Sequence, residues 1–197
     1  NLASTGDKAD DVEAQAAKLV EAVRKGPYLY LAYVTLLIGA NDACAPETPD
    51  SALAASLGRT FDLLASVRQL EPVRVLVSLL PNIALVGQLD TRNRPFYRGW
   101  TCGQLWSTLS ICQNILDWST PEELAARERI VRVKNAVIRQ AIAAAQTRHP
   151  QLQIAVSDKM FVNPIHAADM AGDCFHPNQK SQERIAQELW LDHPWFR

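Results

Sequence analysis

Two continuous apolar runs, each preceded by a segment of helical periodicity, constrain this chain more than any other feature. LAYVTLLIG at 31–39 and VRVLVSLLP at 73–81 are rich in β-branched residues and nearly free of charge. A strand covered on one face alternates apolar and polar positions, so runs this uniform predict strands buried on both faces. Ahead of the first, residues 7–25 place Val12, Ala16, Leu19, Val20 and Val23 at helical spacing, with acids near the start and Arg24 and Lys25 at the end. Gly26 and Pro27 close that helix. After a polar loop at 45–50, SALAASLGRTFDLLASVRQL (51–70) reads as a second helix, and LQIAVS (152–157) as a third strand. Helix and strand alternate, which is the pattern of an α/β fold on a parallel sheet.

The rest of the chain fits one domain over residues 1–197. Residues 89–120 form a long excursion with Pro95, Gly99 and Gly103 among Phe96, Tyr97, Trp100, Trp106 and Trp118, and a short helix is expected near 104–115. The tryptophans are read as partly buried core or loop residues rather than as a lipid-facing platform. Thr120 followed by Pro121, Glu122 and Glu123 marks the start of a long helix that runs to Arg148. A last helix is expected over 178–191. His149 and His193, beside prolines or helix ends, are expected to be solvated.

Composition excludes several classes of function. With 20 basic and 21 acidic residues mixed along the chain, no single-sign run offers a phosphate footprint, so nucleic acid is not an expected partner. The longest apolar stretch, 28–40, falls short of the ~20 residues of a membrane-spanning helix. Cys44, Cys102, Cys112 and Cys174 contain no C-x-x-C pair, which argues against a zinc ribbon or a thioredoxin-like motif. Their even number permits two disulfides and hence a secreted, extracellular or endolysosomal lumenal setting; four buried thiols are the alternative. Cys102 and Cys112, ten residues apart, are the pair expected to staple the excursion. Cys44 and Cys174 either bridge beside the site or pair with cysteines outside the chain.

Sites in parallel α/β sheets gather beyond the carboxyl ends of strands. Three short polar groups fall at such places or at a helix start: NLASTGD (1–7), GAND (39–42) and DCFH (173–176). Asp173 precedes His176 by three residues, so one tight turn brings the carboxylate onto an imidazole nitrogen, the arrangement that fixes a tautomer for acid/base work. Asn41 offers an amide donor, and Gly6 a backbone N–H on an unobstructed loop; together they suit an oxyanion hole. A second reading of the acidic cluster gathers His166, Asp169, Asp173 and His176 around a divalent ion for metal-assisted hydrolysis. A third makes the chain a binding module that uses its aromatic excursion.

NLASTGD, LLIGAND and DCFHPN, in this order, resemble the second, third and fifth conserved blocks of the SGNH, or GDSL, ester hydrolases, and IGANDAC with DCFH is most similar to the phospholipase B and acyloxyacyl hydrolase branch. The resemblance spans essentially the whole chain. It implies a three-layer α/β/α sheet of strand order 2-1-3-4-5, a serine esterase or lipase acting on an ester, and no cofactor or metal. Gly6 and Asn41 become oxyanion-hole donors, His176 the general base and acid, and Asp173 its orienting group; Asp42 is expected to be structural. The family's Gly-Asp-Ser is absent from these 197 residues, and the chain opens on Asn1. The nucleophile is therefore expected on an N-terminal segment of the same precursor, together with strands 1 and 2. Ser4 and Ser78 do not stand where the family serine does.

Overall fold

The computed structural model describes residues 1–26 and 30–195. Pro27, Tyr28 and Leu29, where a helix stop and the start of the first apolar run are expected, lie outside the described residues. Helix α1 (Ala9–Lys25) buries Ala9, Val12, Ala16 and Val20 on one stripe, and Asp11 accepts a 2.9 Å bond from the N–H of Lys8 at its start. Strand β1 (Tyr33–Leu36) leads into the short helix α2 (Ala40–Cys44) through Gly39, whose φ of +107° is a left-handed conformation that favours glycine. Helix α3 (Asp50–Ala65) follows, with Leu53, Leu57, Phe61 and Leu64 buried in a single stripe.

Strand β2 (Val73–Ser78) is central and almost wholly buried, and strand β3 (Leu152–Ser157) pairs along its other side. All pairings are parallel, with Val34 opposite Val75 and Val75 opposite Ile154. Between β2 and β3 the chain makes a 3₁₀ turn (Ile83–Gly87) and helices α4 (Leu89–Arg92), α5 (Cys102–Leu109), α6 (Gln113–Leu116) and α7 (Pro121–Arg148). After β3 come α8 (Lys159–Val162), a 3₁₀ turn (Ala167–Asp169) and α9 (Gln179–Asp192). One hydrophobic core runs from Ala9 to Cys174.

Helix α7 is the clearest case of sequence dictating structure. Thr120 Oγ1 accepts the Glu123 N–H at 3.2 Å, and Glu123 returns a carboxylate oxygen to the N–H of Thr120 at 3.2 Å, a reciprocal cap. Its buried stripe includes Val131, Ile138 and Ile142, and the buried Asn135 grips the end of β2, accepting from Leu80 N–H at 2.8 Å and donating to Leu80 O at 3.2 Å.

Some expectations are corrected. Strand β1 is four residues long and only partly covered, not buried on both faces, because one of its edges opens on a groove. The second helix ends at Ala65 rather than 70: Ser66 turns its hydroxyl onto Leu63 O at 2.6 Å, and Gln69 then pairs by its side-chain amide with the N–H and C=O of Leu31, like a neighbouring strand. The expected helix at 104–115 is two helices, split where Ser110 and Cys112 take positive φ. Trp106 is buried, whereas Trp100 is exposed at the tip of the excursion. Of the two histidines expected in solvent, His149 is partly exposed and bound to Asp62 at 2.7 Å, whereas His193 is buried against Tyr33 and Trp190.

Candidate active site

Asp173 and His176 meet in a loop whose neck is pinched. Met170 and Pro177 form an isolated antiparallel bridge, and the N–H of Ala171 donates to His176 O at 2.7 Å. Within the loop, Cys174 takes a φ of +66°, and its N–H reaches back to Ala171 O at 3.2 Å. Asp173 divides its two oxygens between two tasks. Oδ1 accepts the N–H groups of Phe175 and His176, each at 3.0 Å, which builds the turn. Oδ2 lies 2.7 Å from Nδ1 of His176.

Partial burial opposes ionisation of Asp173, but the N–H groups of Phe175 and His176 and the adjoining imidazole outweigh it and hold the carboxyl below its ordinary range. The carboxylate is thus an acceptor only, and Nδ1 carries the hydrogen of their bond. In the neutral ring Nε2 is then the lone-pair nitrogen, on a side chain more than half exposed to solvent. Among the described residues no serine hydroxyl is bonded to this ring. Ser78 is buried in β2 with its hydroxyl on Leu79 O at 3.2 Å, and Ser4 lies in the exposed N-terminal segment.

The Gly6 and Asn41 blocks meet as well. Asn41, on the first turn of α2, donates from Nδ2 to Asp7 O at 2.9 Å and so holds the segment beside Gly6. Gly6 has a φ of +86°, and no atom lies within 4 Å of where a Cβ would be. Asp42, which follows Asn41, is 1% exposed and accepts the N–H of Ala9 at 3.1 and 3.3 Å, which ties α2 to the start of α1. Burial pushes the Asp42 carboxyl up, against the pull of that N–H and of Lys134. No hydrogen bond joins the Gly6–Asn41 pair directly to the Asp173–His176 pair among the described residues.

A family model described as GDSL-like Lipase/Acylhydrolase matches residues 1–189. The chain belongs to the GDSL-like lipase/acylhydrolase family. Membership places it among hydrolases of ester substrates. Comparisons with curated proteins and with solved structures return no match.

In this GDSL-like chain the excursion at 89–120 braces both halves of the site. Two disulfides are present, Cys44–Cys112 and Cys102–Cys174. The expected Cys102–Cys112 pair is therefore corrected. Eight residues of α5 carry the chain about 12 Å away from Cys102, beyond the Cα separation that a disulfide bridges. Each cysteine reaches a different block instead: Cys112 fastens α2, which bears Asn41, and Cys102 fastens the loop of Asp173 and His176. Hydrogen bonds double each tie. Asn114 donates to Ala43 O at 2.8 Å, and the indole N–H of Trp106 donates to Cys174 O at 3.1 Å.

The metal reading finds no geometry. Asp169 is committed to Ser181 at 3.1 Å, to Arg184 at 3.0 Å and to the N–H of His166, and Asp173 to His176. Among the described residues no three His, Cys, Asp or Glu side chains converge as a cation site. The two disulfides are consistent with a secreted or lumenal protein, and no helix among the described residues is long and apolar enough to cross a membrane.

Beside the GDSL-like site, the edge of β1 that faces away from β2 lines a groove of about 710 Å³. Val12 and Ala16 of α1 form part of one wall and Leu189 and Trp190 of α9 part of another, and the groove reaches Gly39 and Asn41. Sequence reasoning names the four candidate site residues but not Trp106 and Asn114, which hydrogen-bond the chain beside them, nor Arg94, whose Nη1 donates to Ala167 O, Met170 O and Ala171 O at 3.3, 3.0 and 3.2 Å. Nothing in local spacing marks these three, because their partners stand tens of residues away.

Proposed function

We propose that this chain supplies the acid/base and oxyanion machinery of a serine ester hydrolase whose nucleophile lies on an N-terminal segment outside the 197 residues. The observation that carries the reading is the 2.7 Å bond between ionised Asp173 and Nδ1 of His176, which leaves Nε2 as an exposed base. His176 takes the proton of the serine hydroxyl as that oxygen attacks the ester carbonyl. The N–H of Gly6, the amide of Asn41 and the serine's own N–H receive the negative charge that develops on the carbonyl oxygen. His176 then returns the proton to the leaving alcohol, and water releases the acid by the same steps in reverse order.

The open edge of β1 supports the placement of the nucleophile, because a strand paired there in parallel would end beside Gly39 and Asn41. In the whole enzyme β1, β2 and β3 would then be the third, fourth and fifth strands of a 2-1-3-4-5 sheet in one domain between two helical layers. The likeness of IGANDAC and DCFH to the phospholipase B and acyloxyacyl hydrolase branch favours a lipid acyl ester, in a secreted or lumenal compartment.

Intact mass of the native, unreduced protein followed by a fluorophosphonate probe tests this. A co-purifying polypeptide with Gly-Asp-Ser that takes the label, and loses it with His176→Ala, is the expected result. A folded chain that is alone and unlabelled overturns the reading and leaves the binding-module account.

A further inference from the structure

We propose that Arg94 is a positioning residue for the Asp173–His176 turn: one guanidinium nitrogen, set against three carbonyls at the neck of the loop, fixes where the dyad points. The role assigned to the dyad rests on the ester-hydrolase reading above, but the geometry argued here does not. Nη1 of Arg94 lies 3.3 Å from Ala167 O, 3.0 Å from Met170 O and 3.2 Å from Ala171 O. Three carbonyls aimed at one point repel each other, and a half-buried cation among them turns that repulsion into charge-assisted hydrogen bonds. No carboxylate competes for this guanidinium within salt-bridge distance among the described residues, so its charge is directed at the backbone.

The location matters more than the number of bonds. Met170 and Ala171 are the last residues before the loop, and Ala171 also receives the Cys174 N–H and donates to His176 O. A shift of these two residues is therefore passed to the turn in which Asp173 accepts the N–H groups of Phe175 and His176. Arg94 is itself anchored, because its C=O accepts the N–H of Cys102 at 3.0 Å, and Cys102 is the disulfide partner of Cys174. From one short base the excursion thus grips the loop twice, at the neck through Arg94 and near the tip through sulfur. The disulfide restrains Cys174; among the described residues only Arg94 ties the excursion to the neck carbonyls of Met170 and Ala171.

The experiment uses the 197-residue chain, ¹³C-labelled, with Arg94→Met, Arg94→Lys and, as a comparison, Gln88→Ala. Gln88 donates to Ile165 O, a few residues upstream of the neck, so its loss loosens the same segment without touching the three carbonyls. The readout is the Asp173 side-chain carboxyl titration by NMR, with circular dichroism and core methyl signals confirming the fold. In folded Arg94→Met the midpoint is expected to rise toward the ordinary Asp value of 3.8, because the two N–H groups and the imidazole lose their alignment. Arg94→Lys keeps the charge but ends one bond short of where Nη1 meets the three carbonyls, so it gives a smaller rise, and Gln88→Ala gives none.

An unchanged midpoint in folded Arg94→Met overturns the proposal, as does an equal rise in Gln88→Ala. If Arg94→Met does not fold, Arg94→Lys decides by the same criterion: a rise supports the proposal and no change overturns it. Ester turnover does not enter these readouts. A failed fluorophosphonate label together with a raised midpoint removes the hydrolase reading and leaves Arg94 holding the turn.

Discussion

The two halves of the candidate site are held in different ways. The Asp173–His176 turn is fastened from outside by a disulfide, an indole N–H and an arginine, all contributed by residues 94–106. The Gly6 segment is fastened by one side-chain bond from Asn41 and by Gln15 on Asp7, and Gly6 itself faces open space. Under the proposed mechanism, the difference follows from what each half would have to do. An imidazole that moves a proton has to be held within a fraction of an ångström by groups that do not themselves move. A backbone N–H in an oxyanion hole would need only a permissive turn and a fixed neighbour, and in the proposed mechanism Asn41 on α2 is that neighbour. Within the second half, the burden of rigidity has moved from Gly6 to α2, which Cys44 and Asp42 tie down.

The largest expected effect comes from separating the disulfides. Cys102 and Cys174 are 72 residues apart in sequence and Cys44 and Cys112 are 68 apart, so by loop closure each is worth about 4 kcal/mol. Cys102→Ser/Cys174→Ser and Cys44→Ser/Cys112→Ser should therefore fall by similar amounts in urea unfolding. They should differ in where order is lost. The first pair is expected to speed amide exchange at Phe175 and His176, and the second at Ala43 and position 44 with the His176 turn still protected. Equal loss of protection at both places in either variant would show that the excursion is one stiff unit and that the halves are not independently held.

A smaller effect separates the roles within IGANDAC. Asp42→Ala leaves the buried Ala9 N–H without its acceptor, a loss of about 1–3 kcal/mol. Denaturant melts should show that loss with the Asp173 carboxyl titration unmoved. A moved titration would mean that the start of α1 reaches the dyad through the core, which the hydrogen bonds do not suggest.

The same contrast explains what could be read from sequence. Helix α7 and strand β3 fall where their residues predict them, because Thr120 with Glu123 caps one and a short run of apolar alternation marks the other. The dyad was legible because three residues of spacing make one turn. The braces were not: Arg94 finds its carbonyls 73 to 77 residues onward, and a guanidinium followed by proline has no local pattern that announces this. The cysteines mislead for a related reason. A ten-residue spacing looks like a local staple until a helix is placed between the two sulfurs, and only the tertiary fold shows which distant loop each one meets. The shortness of β1 is a third instance, since an apolar run signals burial by something without saying whether that something is a helix or a neighbouring strand.

Gly6→Ala sharpens the comparison at its weakest end. A Cβ at this position meets no atom within 4 Å, so the substitution carries no clash, and its whole cost is the left-handed backbone, about 1 kcal/mol. Because the segment is exposed and lightly tied, the alanine is expected to relax the turn locally rather than strain the core, and urea unfolding should move by less than with Asp42→Ala. The Asn41 amide signals should move nonetheless, since Nδ2 donates to Asp7, the residue that follows the altered turn. If the chain pairs with a serine-bearing segment as proposed, fluorophosphonate labelling of that assembly should then slow out of proportion to the stability lost, as it must if this N–H receives charge in the reaction. A loss of stability as large as that of Asp42→Ala would instead show that residues 1–7 belong to the cooperative core, and the two halves of the site would be equally rigid after all.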